Sequence, residues 1–160
     1  MNRLPEAVEA LLEAALVAEF TVLDGRNRPV VHPMLPLYVG DGRIYLTSSV
    51  LFSRKLFHIR RNPRVALSIT DPVAAPVARW GAVTIQGEAT IDDADPHSGW
   101  LWLLPAWARK EPDIPRLVKN RWMLPLFWER VVIAITPRRI FHWPPGGTGE
   151  PVVYDLSEGG

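Results

Sequence analysis

There is no cysteine among the 160 residues, which excludes disulfides, thiolate metal sites and a cysteine nucleophile. That absence fits a reducing compartment. Net charge is also nearly missing: 18 Lys and Arg face 17 Asp and Glu, leaving +1. Such a chain has no general electrostatic pull toward nucleic acid or an acidic membrane, so any positive patch must be local. Long apolar runs are lacking too, since Trp100 to Ala108 and Val131 to Ile135 are too short to cross a bilayer. Met1 to Leu12 mixes acidic with apolar residues and lacks a basic-then-apolar leader pattern. The expectation is a soluble, cytoplasmic protein with no nucleic-acid and no membrane partner. There is no Gly-x-Ser-x-Gly elbow and no phosphate-loop lysine motif. His32, His58, His97 and His142 show no metal-ligand spacing, so no metal site is expected. No side chain is singled out as a general acid, base or nucleophile.

What is present begins with size and apolar content. One domain with a substantial core fits a chain that is 48% hydrophobic. Leu4, Val8, Leu11, Leu12 and Ala15 keep helical spacing after Pro5, predicting a first helix that ends near Ala18. Strands are expected at Glu19 to Leu23, Pro29 to Val39, Arg43 to Thr47 and Arg64 to Thr70. Asp71 to Arg79 reads as a loop. A long strand follows from Trp80 to Ile91, with a bend or bulge at Gly87, and two short strands close the pattern at Val131 to Thr136 and Arg139 to Trp143. In this order the strands make an antiparallel, closed or nearly closed barrel, mainly β with flanking helices. We expect a single domain over 1–143 with a helical insert at about 96–128, and a flexible tail over 144–160. Five of the seven tryptophans fall between Trp100 and Trp128. They either pack the insert onto the barrel and a partner subunit or wall a flat substrate pocket. Arg109, Lys110, Arg116, Lys119 and Arg121 among them suit an anionic cofactor tail or a solvated helix face.

The stretch from Arg43 to Thr70 carries the chemistry. It reads as strand, hydroxyl-rich turn, short helix, a break at Asn62-Pro63, then strand. Leu51, Phe52, Leu56 and Ile59 are predicted to cover one helix face. Arg54 and Lys55 stand at or near the first turn, where partial positive charge and unpaired N–H groups normally disfavour cations. Thr47, Ser48, Ser49 and Ser53 stand just before them. Hydroxyls, free N–H groups and two cations together describe a phosphate site; the plain alternative is a solvated basic helix capped by Ser49 or Ser53.

The order of these parts resembles the pyridoxamine 5′-phosphate oxidase-like flavin proteins. Carrying the resemblance are Thr47-Ser48, Ser53-Arg54-Lys55, Asn62-Pro63-Arg64-Val65-Ala66-Leu67, the long strand around Gly87, and Ile135-Thr136-Pro137-Arg138-Arg139-Ile140 with Trp143. It runs from about Ala18 to Trp143 and implies the FMN-binding six-stranded antiparallel split β-barrel, usually a homodimer with cofactor held between subunits. It implies further that Ser53, Arg54 and Lys55 hold the FMN phosphate, with Thr47 and Ser48 close by. His32, Pro33, Met34 and Leu35 would run along the flavin ring, and Trp143 would lie near it. The expected function is then a flavin-dependent oxidoreductase acting on a small organic substrate. The same barrel serves enzymes of the deazaflavin coenzyme, and a protein that binds flavin without turnover is a further alternative. Two departures weigh against vitamin B6 oxidation itself. The arginine and lysine that those oxidases place in strand two are matched here by His32 and Leu37. Their Arg-x-His motif has no counterpart after Trp143.

Overall fold

The computed structural model describes residues 3–70, 81–120, 122, 125–146 and 149–156. The predicted loop at Asp71 to Arg79 lies outside the described residues, as do Trp80 and Arg121. Helix α1 spans Glu6–Ala14 and buries Val8, Leu11 and Leu12. Strands β1 (Ala18–Leu23) and β2 (Pro29–Met34) form a hairpin, and a two-residue β3 (Leu37–Tyr38) leads to β4 (Ile44–Ser49). A 3₁₀ turn at Val50–Phe52 precedes α2 (Arg54–Arg61), and β5 (Arg64–Ile69) and β6 (Ala82–Asp92) follow. The insert holds a 3₁₀ turn at Leu101–Leu103, α3 (Leu104–Lys110), α4 (Ile114–Lys119) and α5 (Pro125–Trp128), before β7 (Arg130–Trp143) and β8 (Val152–Asp155).

All pairings are antiparallel, in the order β2-β1-β5-β6-β7-β4-β3, and β8 pairs with β7. The path ends at β2 and β3, so the curled sheet is open on that side, and its six longer strands make the split barrel. The expected fold class holds. Alternation along β1 and β5 sends Phe20, Val22, Val65, Leu67 and Ile69 into the barrel core. Every residue of β4 is buried. The reason is that β4 is covered on both faces: Ile44 and Leu46 join the barrel core, whereas Tyr45 joins a second core under the insert.

That second core takes three of the five tryptophans between Trp100 and Trp128. Trp100 is fully buried, stacked on Trp128 at 6.2 Å between ring centroids and tilted against Trp107 at 6.0 Å. These three fasten the insert to β4 and β7, while Trp102 and Trp122 are exposed. Lys110 fastens the insert elsewhere. Its ammonium donates to Leu12 O at 2.6 Å, Ala15 O at 2.7 Å and Pro36 O at 2.5 Å. It thereby caps the C-terminal end of α1, where carbonyls lack helical partners and cations are favoured. Burial lowers its pKa to about 7, and the Glu13 carboxylate opposes that shift.

Several boundaries differ from the sequence reading. Pro29 to Val39 is two strands, separated at Leu35-Pro36. Pro33 stands in β2 at the edge of the path, where its missing N–H costs no ladder bond on the open side. The two expected closing strands are one, β7, running straight through Pro137. The sheet allows this because Gly87 pairs with Pro137 and Gln86 with Arg139, which leaves Arg138 as the extra residue of a bulge. A Cβ on Gly87 would stand 2.4 Å from Thr136 O, so the bulge needs glycine there. Leu51 and Phe52 do not cover the helix face; both are exposed in the 3₁₀ turn, and only Leu56 and Ile59 are buried. The segment 144–160 is not wholly a tail, since Val152–Asp155 pair with Arg139 to His142 of β7. There β8 takes over the edge of β7 that β4 covers only as far as Ile135. An unpaired strand edge beside exposed apolar side chains is a liability, and β8 removes part of it.

Candidate functional site

Helix α2 is held against the barrel by Leu56 and Ile59, which belong to the barrel core. This orientation turns Lys55 inward, and the residue is only 7% exposed. Its ammonium donates to Ser48 Oγ and to Phe52 O, each at 3.1 Å. The Ser48 hydroxyl donates onward to Ser49 O at 3.3 Å, leaving its lone pairs to Lys55. An ammonium has three donors, so one is left over. Among the described residues neither Lys55 nor Arg54 forms an ion pair. Burial, and after it the nearby Arg130 charge, lowers the Lys55 pKa.

Beside Lys55 opens a hollow of about 540 Å³, lined by His32, Pro33 and Met34 of β2 and by Leu51 to Lys55. His32 Nε2 is buried without a hydrogen-bond partner. Burial is the main cause of a lowered His32 pKa, with the Lys55 and His58 charges adding to it, so the ring is neutral near pH 7. Ser49 caps the 3₁₀ turn by accepting from Leu51 N, whereas Ser53 makes no such cap bond and lines the hollow. No acidic residue stands in the first turn of α2.

Six of the ten residues expected at a cofactor therefore share one hollow: His32, Pro33, Met34, Ser53, Arg54 and Lys55. Ser48 reaches it through Lys55. Thr47 faces the other way and is gripped by Arg130, whose guanidinium donates to Thr47 Oγ1 and Thr47 O at 3.1 Å. Leu35 packs against the insert core, outside the hollow. Trp143 ends β7 opposite Ala82 and does not line the hollow either.

Arg130 is the residue the sequence reading missed. It is buried between the rings of Trp107 and Phe127, 5.0 and 5.1 Å from their centroids, and burial lowers its pKa to about 10. Its bonds to Thr47 fix the end of β4 from which Ser48 meets Lys55. An arginine opening an apolar strand straight after an aromatic segment was the only signal available. A buried ammonium with a spare donor, an unpartnered imidazole nitrogen, a second cation and a helix start without acid fit a phosphate group.

Comparison with known proteins agrees with this shape. No curated protein matches the chain with significance. Among solved structures it resembles the general stress protein 26 of Bacillus anthracis str. Sterne, with 16% identity, a TM-score of 0.61, and coverage of 94% of this chain and 97% of that one. A NimC/NimA family protein of Clostridium acetobutylicum aligns with 18% identity and a TM-score of 0.63, covering 94% and 92% of the two chains. A protein described as an F420 reductase aligns with 22% identity and a TM-score of 0.61, covering 86% and 98%. At these identities the structures speak for the fold alone. The family model does more: the model for pyridoxamine 5′-phosphate oxidase matches residues 4–144, from just before α1 to just past the end of β7, so the chain belongs to the pyridoxamine 5′-phosphate oxidase family.

Proposed function

We propose that this protein is a flavin-dependent oxidoreductase that binds FMN and acts on a small organic substrate. The observation that carries the reading is Lys55, a buried ammonium with two protein acceptors and no carboxylate, beside Arg54 at the mouth of the hollow. The phosphate of the cofactor would rest against Ser53, Arg54 and Lys55, with Ser48 orienting the lysine. His32, Pro33 and Met34 would border the ring system, and the neutral His32 offers its free nitrogen as a hydrogen-bond partner. When bound, the isoalloxazine supplies hydride or electron transfer, and the chain supplies binding, orientation and electrostatics. Among the described residues no group of His, Asp or Glu is arranged to hold a metal, and the proposal uses none.

The hollow is open on one side, and Trp143 stands outside it. We therefore infer a homodimer in which a second copy covers the ring. A deazaflavin reductase of the same fold is the second reading, supported by the structural likeness to the F420 reductase and by the extra cations described next. The experiment is to purify the protein from its natural host, identify the cofactor by absorbance, and offer NADH or NADPH without oxygen. Bleaching of a flavin band is the expected result. A cofactor-free protein that also ignores added FMN would remove the proposal, and a flavin that no donor reduces would leave a binding protein without turnover.

A further inference from the structure

A second hollow, of about 590 Å³, adjoins the first and shares His32 and Arg54 with it. It lies between α2 and the turn joining β1 to β2. His58 lines it from α2 and is only 8% exposed, yet its Nδ1 has no hydrogen-bond partner. With His32 Nε2 that makes two orphaned imidazole nitrogens beside one cavity. Buried polar atoms are seldom left so, which points to something that occupies the space.

The charges around the cavity say what kind of thing. Asp24 is fully engaged: one oxygen accepts the Arg26 and Arg28 backbone N–H groups at 2.8 and 2.9 Å, the other the Arg28 side chain at 2.8 Å. That pair is neutral and saturated. Arg26 and Arg54 form no ion pair among the described residues. The Arg61 guanidinium lies 3.4 Å from where a Gly25 Cβ would stand, adding a further cation at the turn. Unpaired arginines repel a metal ion and attract an anion. Guanidinium forks and imidazole nitrogens together suit the oxygens of a phosphate or carboxylate.

We propose that this cavity is a second oxyanion seat, in which Arg26, Arg54 and His58 hold a phosphate or carboxylate group. The seat rests on the cofactor reading in one respect only, that the first hollow is already filled by a phosphate against Lys55. Two sources share this chemistry: a second anionic group further along the same cofactor, or an anionic group on a separate small molecule.

The test uses FMN-loaded protein titrated with inorganic phosphate, following the His32 and His58 imidazole signals by ¹H–¹⁵N NMR. A saturable shift of the His58 signal is expected, and Arg26→Ala on the exposed turn should weaken phosphate binding at least tenfold. His58→Gln, if it folds, should do the same. No saturable shift, or equal binding in wild type and Arg26→Ala, overturns the seat. A second arm loads the protein with FAD, whose second phosphate mimics an anionic tail. Loss of the inorganic phosphate response assigns the seat to the cofactor, and its persistence assigns it to a separate ligand. Should FMN not bind, the cofactor reading falls by itself, and the same titration of unloaded Lys55→Met protein still decides the seat: a His58 shift upholds it, and none overturns it.

Discussion

Two lysines in this molecule, buried Lys55 and half-buried Lys110, form no ion pair among the described residues, and they differ in one respect. Lys110 donates to three carbonyls, so all its hydrogens are used, and it pins the insert to the end of α1 and to the β2–β3 link. Its neighbours are equally saturated, for Tyr38 donates to Glu9 at 2.5 Å and Glu9 also accepts from Arg3 at 2.7 Å. Lys55 donates to only two acceptors and stands beside a cavity in which His32 Nε2 also lacks a partner. Burial is costly for both ammonium groups. In the first case the protein itself compensates the cost; in the second the compensation that the protein supplies is incomplete. The saturated lysine is structural, and the unsaturated one is the centre of the proposed site.

The largest effect expected from this contrast is on stability at the seam. Lys110→Met leaves three carbonyls without their donor and should cost about 3–5 kcal/mol, seen as a lowered urea midpoint. A loss under about 1 kcal/mol would mean that water serves those carbonyls as well. A smaller effect is expected at Glu9, whose pKa is lowered by hydrogen bonds from Arg3 and Tyr38. A carboxylate with a lowered folded pKa contributes stability that is complete above its unfolded value, near 4.5, and is lost as pH falls through the folded value. Wild type should therefore lose about 1 kcal/mol more than Glu9→Gln on acidification below that range. Parallel pH curves would separate Glu9 from the seam. Smallest is the expected effect of Lys55→Met on the cofactor-free protein, within about 1 kcal/mol of wild type or slightly stabilising, because the methionine removes an under-bonded buried charge. Strong destabilisation there would make Lys55 a second Lys110.

The contrast also shows which parts of the molecule a sequence can reveal. That Ser53-Arg54-Lys55 share a hollow was legible as a candidate because cations at a helix start break a local rule. The barrel was legible from turn signals and alternation, and the Gly87 bulge from a glycine inside a strand pattern. The continuity of β7 was not, because Pro137 reads as a breaker until Gly87 is set opposite it in the register. The strand β8 was hidden by the glycines and prolines before it, and its pairing depends on the edge of β7 that β4 leaves free. Lys110 read as one more solvated cation, since nothing local shows that Leu12, Ala15 and Pro36 bring their carbonyls to one point. Arg130 and the His32–His58 cavity were likewise invisible, being products of tertiary contact between elements far apart in the chain.

The most direct test of the unsaturated site compares FMN with riboflavin, which differ only in the phosphate. Their dissociation constants should be measured for wild type and for Arg54→Ala with Lys55→Ala. Since charge-assisted bonds contribute about 1.5–3 kcal/mol each, wild type should prefer FMN on the order of a hundredfold or more, and the double variant should lose that preference while binding riboflavin as before. The same FMN-to-riboflavin ratio in both proteins would contradict the account.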